Sequence, residues 1–357
     1  MKVGLGLYRH MLTPENLRFA RQVGATHIVA HWVDYFASGP RIPDAREGTW
    51  GATLAKPVWT VEELVGLREL VESEGLVLHA IENLDPAHWH DVLLDGPKRD
   101  EHLDNVKAIV RNMGAAGIPV LGYNFSVAGV WGHITGPWAR GGAETVGFSA
   151  ADGPVQPALR RGEVWNMTYD PDAPAEDEAA TTDEALWERL RVFLEAVVPV
   201  AEEAGVRLAA HPDDPPLETL RGNARLVNRP SKYRRLLDLV PSPANALEFC
   251  QGTVAEMEPD DLDVYGAIAE YARRGALGYV HFRNVRGQVP EYVEVFVDEG
   301  DVDMLRCLRL YAENGYDGVV IPDHTPHVAG PAPWHAGMAY AIGWMRASLN
   351  AIGALDA

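Results

Sequence analysis

Cysteine is nearly absent from this chain, with two residues in 357, Cys250 and Cys307. Two thiols cannot build a disulfide framework, so stability must come from a hydrophobic core, and a reducing, cytoplasmic setting is expected. Long apolar runs are also missing. No stretch approaches the ~18 apolar residues of a membrane-spanning helix, and the start, MKVGLGLYRHML, lacks the apolar centre of a signal peptide. Positive charge is scarce, with 31 Lys and Arg against 51 Asp and Glu and a formal net charge of −20. That balance argues against nucleic acid and anionic membranes as partners. What is abundant is apolar residues, 47% of the chain, enough for a large core.

Short β-rich runs alternate with longer helical patterns. Residues 3–8, 27–32, 76–82, 120–125, 207–211, 246–250, 277–283 and 318–323 read as strands. Helices are expected over 14–23, 60–74, 100–116, 183–205, 232–239, 259–274, 302–314 and 336–351. Thr13 stands as N-cap before Pro14, and Thr60 with Glu63 forms a capping box. Eight such repeats predict an α/β protein in which 1–357 form a single (β/α)8 TIM-barrel domain. A doubly wound open sheet is the alternative, but no G-x-G-x-x-G follows the first strand. Residues 126–181, rich in Gly, Pro, Trp and acidic groups, are expected to be a long insertion after strand 4, an elaborated loop over the barrel mouth.

In such a barrel the C-terminal ends of the strands line one mouth. His211, Cys250, His281 and Asp323 come from the C-terminal ends of four successive strands, and all are metal-ligand types. Each alone has an ordinary explanation, as a buried thiol, a satisfied histidine or a helix cap. Their coincidence at equivalent positions predicts a mixed site for one divalent transition metal. Sulfur favours zinc or iron, while the carboxylate and the need for open coordination positions favour manganese. Arg283, two residues after His281, should share its strand face and meet a substrate carboxylate, or else pair with Asp213 or Glu248. His324 is a candidate acid or base. His31, Asn124 and Asn284, also at strand ends, join Arg283 as expected substrate contacts.

Five strings occur in order: HPDDPP at 211–216, SPANALEFCQGT at 242–253, HFRNV at 281–285, GDVDM at 300–304 and YDGVVIPDH at 316–324. With IENL at 81–84 and HWHDVLLDGPKRDEHLDNVKAIVRNMGAAGIPVLGYNF upstream, the chain resembles the mannonate dehydratase family over about residues 76–350. That resemblance implies a xylose-isomerase-like barrel that converts D-mannonate to 2-keto-3-deoxy-D-gluconate and water. It implies Mn²⁺, or another divalent ion such as Fe²⁺, Co²⁺ or Zn²⁺, on the same four ligands. It also implies a homodimer, to which the segment after Phe125 could contribute. Dehydration needs a base for the carbon-bound proton and an acid for the leaving hydroxyl, and His324, Asp213 and Asp214 are the candidates. The family usually carries Arg where Ile321 stands, His where Val297 stands, and a Gly/Tyr-rich loop where TPHVAGPAPWHAGMAY follows at 325–340. These departures keep two alternatives: an isomerase, epimerase or β-eliminating lyase acting on a neutral sugar or keto-sugar, and a non-catalytic sugar-binding barrel.

Overall fold

Eight parallel strands close into a barrel, and their order around it is their order in the chain. The computed structural model describes residues 1–35, 57–153 and 156–356. The strands are β1 (Lys2–Tyr8), β2 (His27–His31), β3 (Val77–Glu82), β4 (Val120–Tyr123), β5 (Arg207–Ala210), β6 (Asn245–Cys250), β7 (Leu277–His281) and β8 (Val319–Ile321). Closure is made where Lys2 and Val3 pair with Val319 and Val320. Val29, Ala80, Val120, Ala209, Tyr279, Val319 and Ile321 fill the barrel interior. Gly122 of β4 is required there, because a β-carbon would collide with the Tyr279 hydroxyl and the Glu248 carboxylate. The opposite strand faces pack under the helices in one large apolar layer.

The helices are α1 (Pro14–Val23), α2 (Val61–Ser73), α3 (Pro86–Leu94), α4 (Arg99–Ala116), α5 (Asp183–Ala204), α6 (Lys232–Leu239), α7 (Gln251–Glu256), α8 (Val264–Arg273), α9 (Met304–Glu313) and α10 (Pro333–Ala351). Local chemistry sets several of their ends. The Thr13 hydroxyl accepts from the Asn16 N–H, and Gly24 stops α1 at a φ of 98°. At α2 both halves of the Thr60–Glu63 capping box are formed. Thr60→Ala should therefore destabilise the protein by about 1 kcal/mol. The check is a lower urea midpoint at unchanged slope.

The structure differs from expectation at several element ends, β4 and β8 stopping at Tyr123 and Ile321, and in two added helices. Strand β7 ends at His281, because Phe282 makes a last bond to the Ile321 carbonyl and the chain then turns into an antiparallel hairpin, Asn284–Gln288 with Glu291–Val295. That hairpin joins a second one, His133–Ala139 with Ala143–Ser149, into a four-stranded sheet through Val293 and Gly147. The second hairpin lies in the 126–181 excursion, of which 154 and 155 fall outside the described residues. The helix expected from 259 starts only at Val264, where the Asp263 carboxylate caps it. Finally, α3 and α7 were not anticipated. Among the described residues, no helix is long and apolar enough to cross a membrane.

Candidate functional site

The four strand-end groups predicted as ligands meet at the C-terminal mouth. One donor atom each from His211, Cys250 and His281 lies within 4.8 Å of the others. Asp323 joins them, with Oδ1 3.4 Å from His281 Nδ1 and Oδ2 3.8 Å from Cys250 Sγ. Four donors bound at ~2.0–2.3 Å around one ion stand roughly 3.5 Å apart, so these separations fit a single cation. The imidazoles are oriented for it. His211 Nδ1–H donates to the Pro212 carbonyl at 2.6 Å, leaving Nε2 as a lone pair. His281 Nδ1 is buried with no hydrogen-bond partner. The donor set of two imidazoles, a thiol and a carboxylate suits a transition metal.

The surrounding charge prepares these groups. Burial pushes the Cys250 thiol up, but the Arg283 guanidinium and its histidine neighbours bring it down to about 6. Sγ also accepts from the Thr253 N–H at 3.4 Å and caps α7. Burial opposes charge on Asp323 as well, yet His324, His281 and Arg283 hold it well below the usual carboxylate range. Burial lowers His324, but Asp323 and Glu294 outweigh it and raise the imidazole to about 9. His324 Nδ1 lies 3.0 Å from Glu294 Oε2, and Nε2 lies 3.5 Å from Asp323 Oδ1. Because β8 stops at Ile321, Asp323 and His324 are not held to opposite faces, and both reach the mouth.

A cavity of about 350 Å³ opens over this cluster. Of the predicted residues, His31, Asn124, His211, Asp214, His281, Asp323 and His324 line it. Asn124 Oδ1 is buried and unpartnered, which leaves an acceptor for a ligand. Cys250 belongs to the cluster without lining the cavity, and the other three predicted residues are engaged with protein groups. Asp213 is turned away, paired to buried Arg225 at 3.2 Å and accepting from the Val227 N–H at 2.8 Å. Asn284 spends its amide on the Val297 and Val302 carbonyls, each at 3.1 Å, and so holds the hairpin base rather than a ligand. Arg283 is enclosed by carboxylates and has no free face. It lies 3.0 Å from Glu256, 3.2 Å from Asp214 and 3.6 Å from Asp323, with a still closer contact to Glu294. Its partners are thus not the expected Asp213 or Glu248.

Several lining groups escaped prediction. Tyr8, Tyr35 and Trp165 form an aromatic wall, with the Tyr35 and Trp165 rings stacked at 5.7 Å. His133, from the second hairpin, sits 3.2 Å from Asp214. Glu82 contacts both His31 and His281. Glu82 was visible as a polar strand end; Trp165 and His133 lie in the irregular excursion, where no periodicity marks them.

Comparison with known proteins agrees with this geometry. A profile of the family described as D-mannonate dehydratase (UxuA) matches residues 10–148 and 176–352. The mannonate dehydratase of Enterococcus faecalis is 32% identical over 306 residues, 78% of this chain and 81% of that protein. That of Streptococcus pneumoniae is 31% identical over 283 residues, 76% of each. In structure, mannonate dehydratase from Streptococcus suis serotype 2 superimposes with a TM-score of 0.77 at 26% identity, covering 100% of this chain and 96% of that one. A xylose isomerase domain protein from Planctomyces limnophilus, 12% identical with a TM-score of 0.56 over 99% of this chain and 98% of that one, shares the fold.

Proposed function

The chain belongs to the mannonate dehydratase family of hydro-lyases, and from that premise we propose that it dehydrates a sugar acid, D-mannonate first among them, to the 2-keto-3-deoxy acid. The observation that carries this reading is the convergence of His211, Cys250, His281 and Asp323 beneath a cavity that His324 also lines. We assign those four as ligands of one divalent cation, with Mn²⁺ the preferred ion because a carboxylate ligand and open positions suit it. When bound, the ion supplies positive charge against the carboxylate and hydroxyl oxygens of the substrate.

The protein's own groups handle the protons. The carbon beside the substrate carboxylate loses a proton, the next carbon loses its hydroxyl, and the resulting enol becomes the ketone. His324, held protonated by Asp323 and Glu294, is suited to hand a proton to the departing hydroxide. His31 is the better base. Burial lowers its pKa and favours the neutral ring, and its Nδ1 has no partner. Asp214 is a weaker candidate: His133, Tyr292, Thr253 and Arg283 surround its oxygens, and, against burial, His133, Arg283 and His211 hold it well below the usual range. Asp213 acts as a positioning residue of the loop.

The test is purified protein loaded with Mn²⁺ and offered D-mannonate beside a panel of aldonates. Release of a 2-keto-3-deoxy acid is expected, and no product from any aldonate would remove the proposal. Ile321, which lines the cavity where the family usually has arginine, supports a second reading, proton exchange on a neutral keto-sugar. Solvent deuterium entering such a sugar without water loss would favour it.

A further inference from the structure

On the Nε2 side of His281, opposite the nitrogen that faces Asp323, two carboxylates approach the ring. Glu82 ends β3, with Oε2 3.2 Å from His281 Nε2. Glu248 Oε1, from β6, lies 3.3 Å from the same nitrogen. Both side chains are nearly inaccessible, at 6% and 0% exposure, in the barrel interior. Burying carboxylates there is costly unless they do something for their neighbours. Neither is among the four ligand groups, and the proton chemistry above uses neither.

The geometry of His281 points to what they do. A neutral imidazole carries one N–H, and the nitrogen that bears it cannot bind a cation. Nδ1 faces Asp323 and the ligand cluster and is unpartnered, whereas Nε2 faces two carboxylate oxygens. With an acceptor at Nε2, the proton stays on that side and the lone pair stays on Nδ1. His211 is set by the same logic with a different acceptor, the Pro212 carbonyl at its Nδ1. The two rings thus present opposite nitrogens, and each needs its own rear acceptor. Glu82 meets hydrogen-bond geometry with His281; both oxygens of Glu248 lack a hydrogen-bond partner. Glu82 also approaches His31, but at 3.6 Å, which is a looser contact.

We propose that Glu82 is a positioning residue of the metal site, the acceptor that holds His281 with Nε2 protonated and Nδ1 turned to the cation. This rests on the four-ligand assignment and extends it to a residue outside the ligand set. It predicts a graded series in which acceptor strength at one position sets metal affinity. Glu82→Gln keeps an oxygen acceptor but removes its charge, and Glu82→Ala removes the acceptor.

The experiment measures Mn²⁺ binding at equilibrium to the full-length metal-stripped chain by competition with a chromophoric chelator. Absorption spectra of Co²⁺-loaded protein serve as a second readout. Expected affinities fall in the order wild type, Glu82→Gln, Glu82→Ala, with the last weakened about 10- to 100-fold, the range for lost outer partners of metal-bound histidine. Melting of the metal-free forms reports folding, and the Co²⁺ bands should shift in both variants. Wild-type affinity in Glu82→Ala overturns the proposal. If that variant does not fold, wild-type affinity and spectrum in Glu82→Gln overturn it instead. Two ions per wild-type chain would also overturn it, since Glu82 and Glu248 would then be ligands themselves. His211→Ala separates the layers. If it binds Mn²⁺ as wild type does, the four-ligand assignment falls and this inference with it. If it fails to bind while both Glu82 variants bind normally, only the role of Glu82 is lost.

Discussion

Cys250→Ser should lose its metal on dialysis and show dehydratase activity at least about 10³-fold below wild type, a difference of about 4 kcal/mol in the barrier. The substitution is nearly isosteric, so the loss would be chemical rather than steric. A thiol brought down to about 6 is largely thiolate at neutral pH and is a strong soft donor, whereas a serine hydroxyl stays protonated and binds weakly. The same change should leave the metal-free fold intact. Cys250 caps α7 by accepting from the Thr253 N–H, and serine is a preferred cap. Metal content by atomic emission, the melting temperature of the stripped protein and kcat/KM form the decisive set. Full metal occupancy with wild-type rates would show that sulfur is not a ligand. A lower melting point in the stripped protein would show that the thiol mainly packs.

Much of this site was legible because barrel topology converts a one-dimensional order into convergence. His211, Cys250, His281 and Asp323 are spread over more than a hundred residues, yet each is the last residue of a strand or lies within two residues of its end, and all C-terminal strand ends of a closed parallel barrel share one mouth. The same rule identified His31, Asn124 and His324 as cavity residues. Legibility ended where the backbone left the regular strand. In HPDDPP two adjacent aspartates have opposite fates, Asp213 toward Arg225 and Asp214 toward the cavity, and nothing in their identity says which is which. Asn284 reads as a strand end but begins a hairpin, and backbone carbonyls take its amide. In the strand His133–Ala139 the half-buried face carries Ile134, Gly136 and Trp138 and the exposed face Thr135 and Pro137, so glycine and proline interrupt the apolar alternation that would mark a strand. His133 was invisible for that reason. Arg283 lies near the cluster, but its carboxylate neighbours are Glu294 from the hairpin that follows it and Asp214, Glu256 and Asp323 from three other segments, and no local pattern announces such an enclosure.

His324→Gln tests the proton chemistry separately from the metal. Glutamine can occupy the site and still donate to Glu294, but it has no proton to give at an accessible pH. We expect kcat to fall about 10²- to 10⁴-fold, the usual contribution of a positioned acid or base, with Mn²⁺ content unchanged and KM within a few-fold. The pH profile is the sharper readout. An acid acts only while protonated, and Asp323 and Glu294 raise the His324 pKa, so activity should be retained through neutral pH and fall on the alkaline side as the imidazolium gives up its proton. In the glutamine variant that alkaline limb should vanish from the residual rate. A variant that loses metal together with activity would mean that His324 chiefly supports the ligand Asp323, 3.5 Å away, and the acid would then have to be sought among the other lining groups. A variant that keeps both metal and rate would leave the hydroxide departing without its help, and the assignment of His324 would be withdrawn.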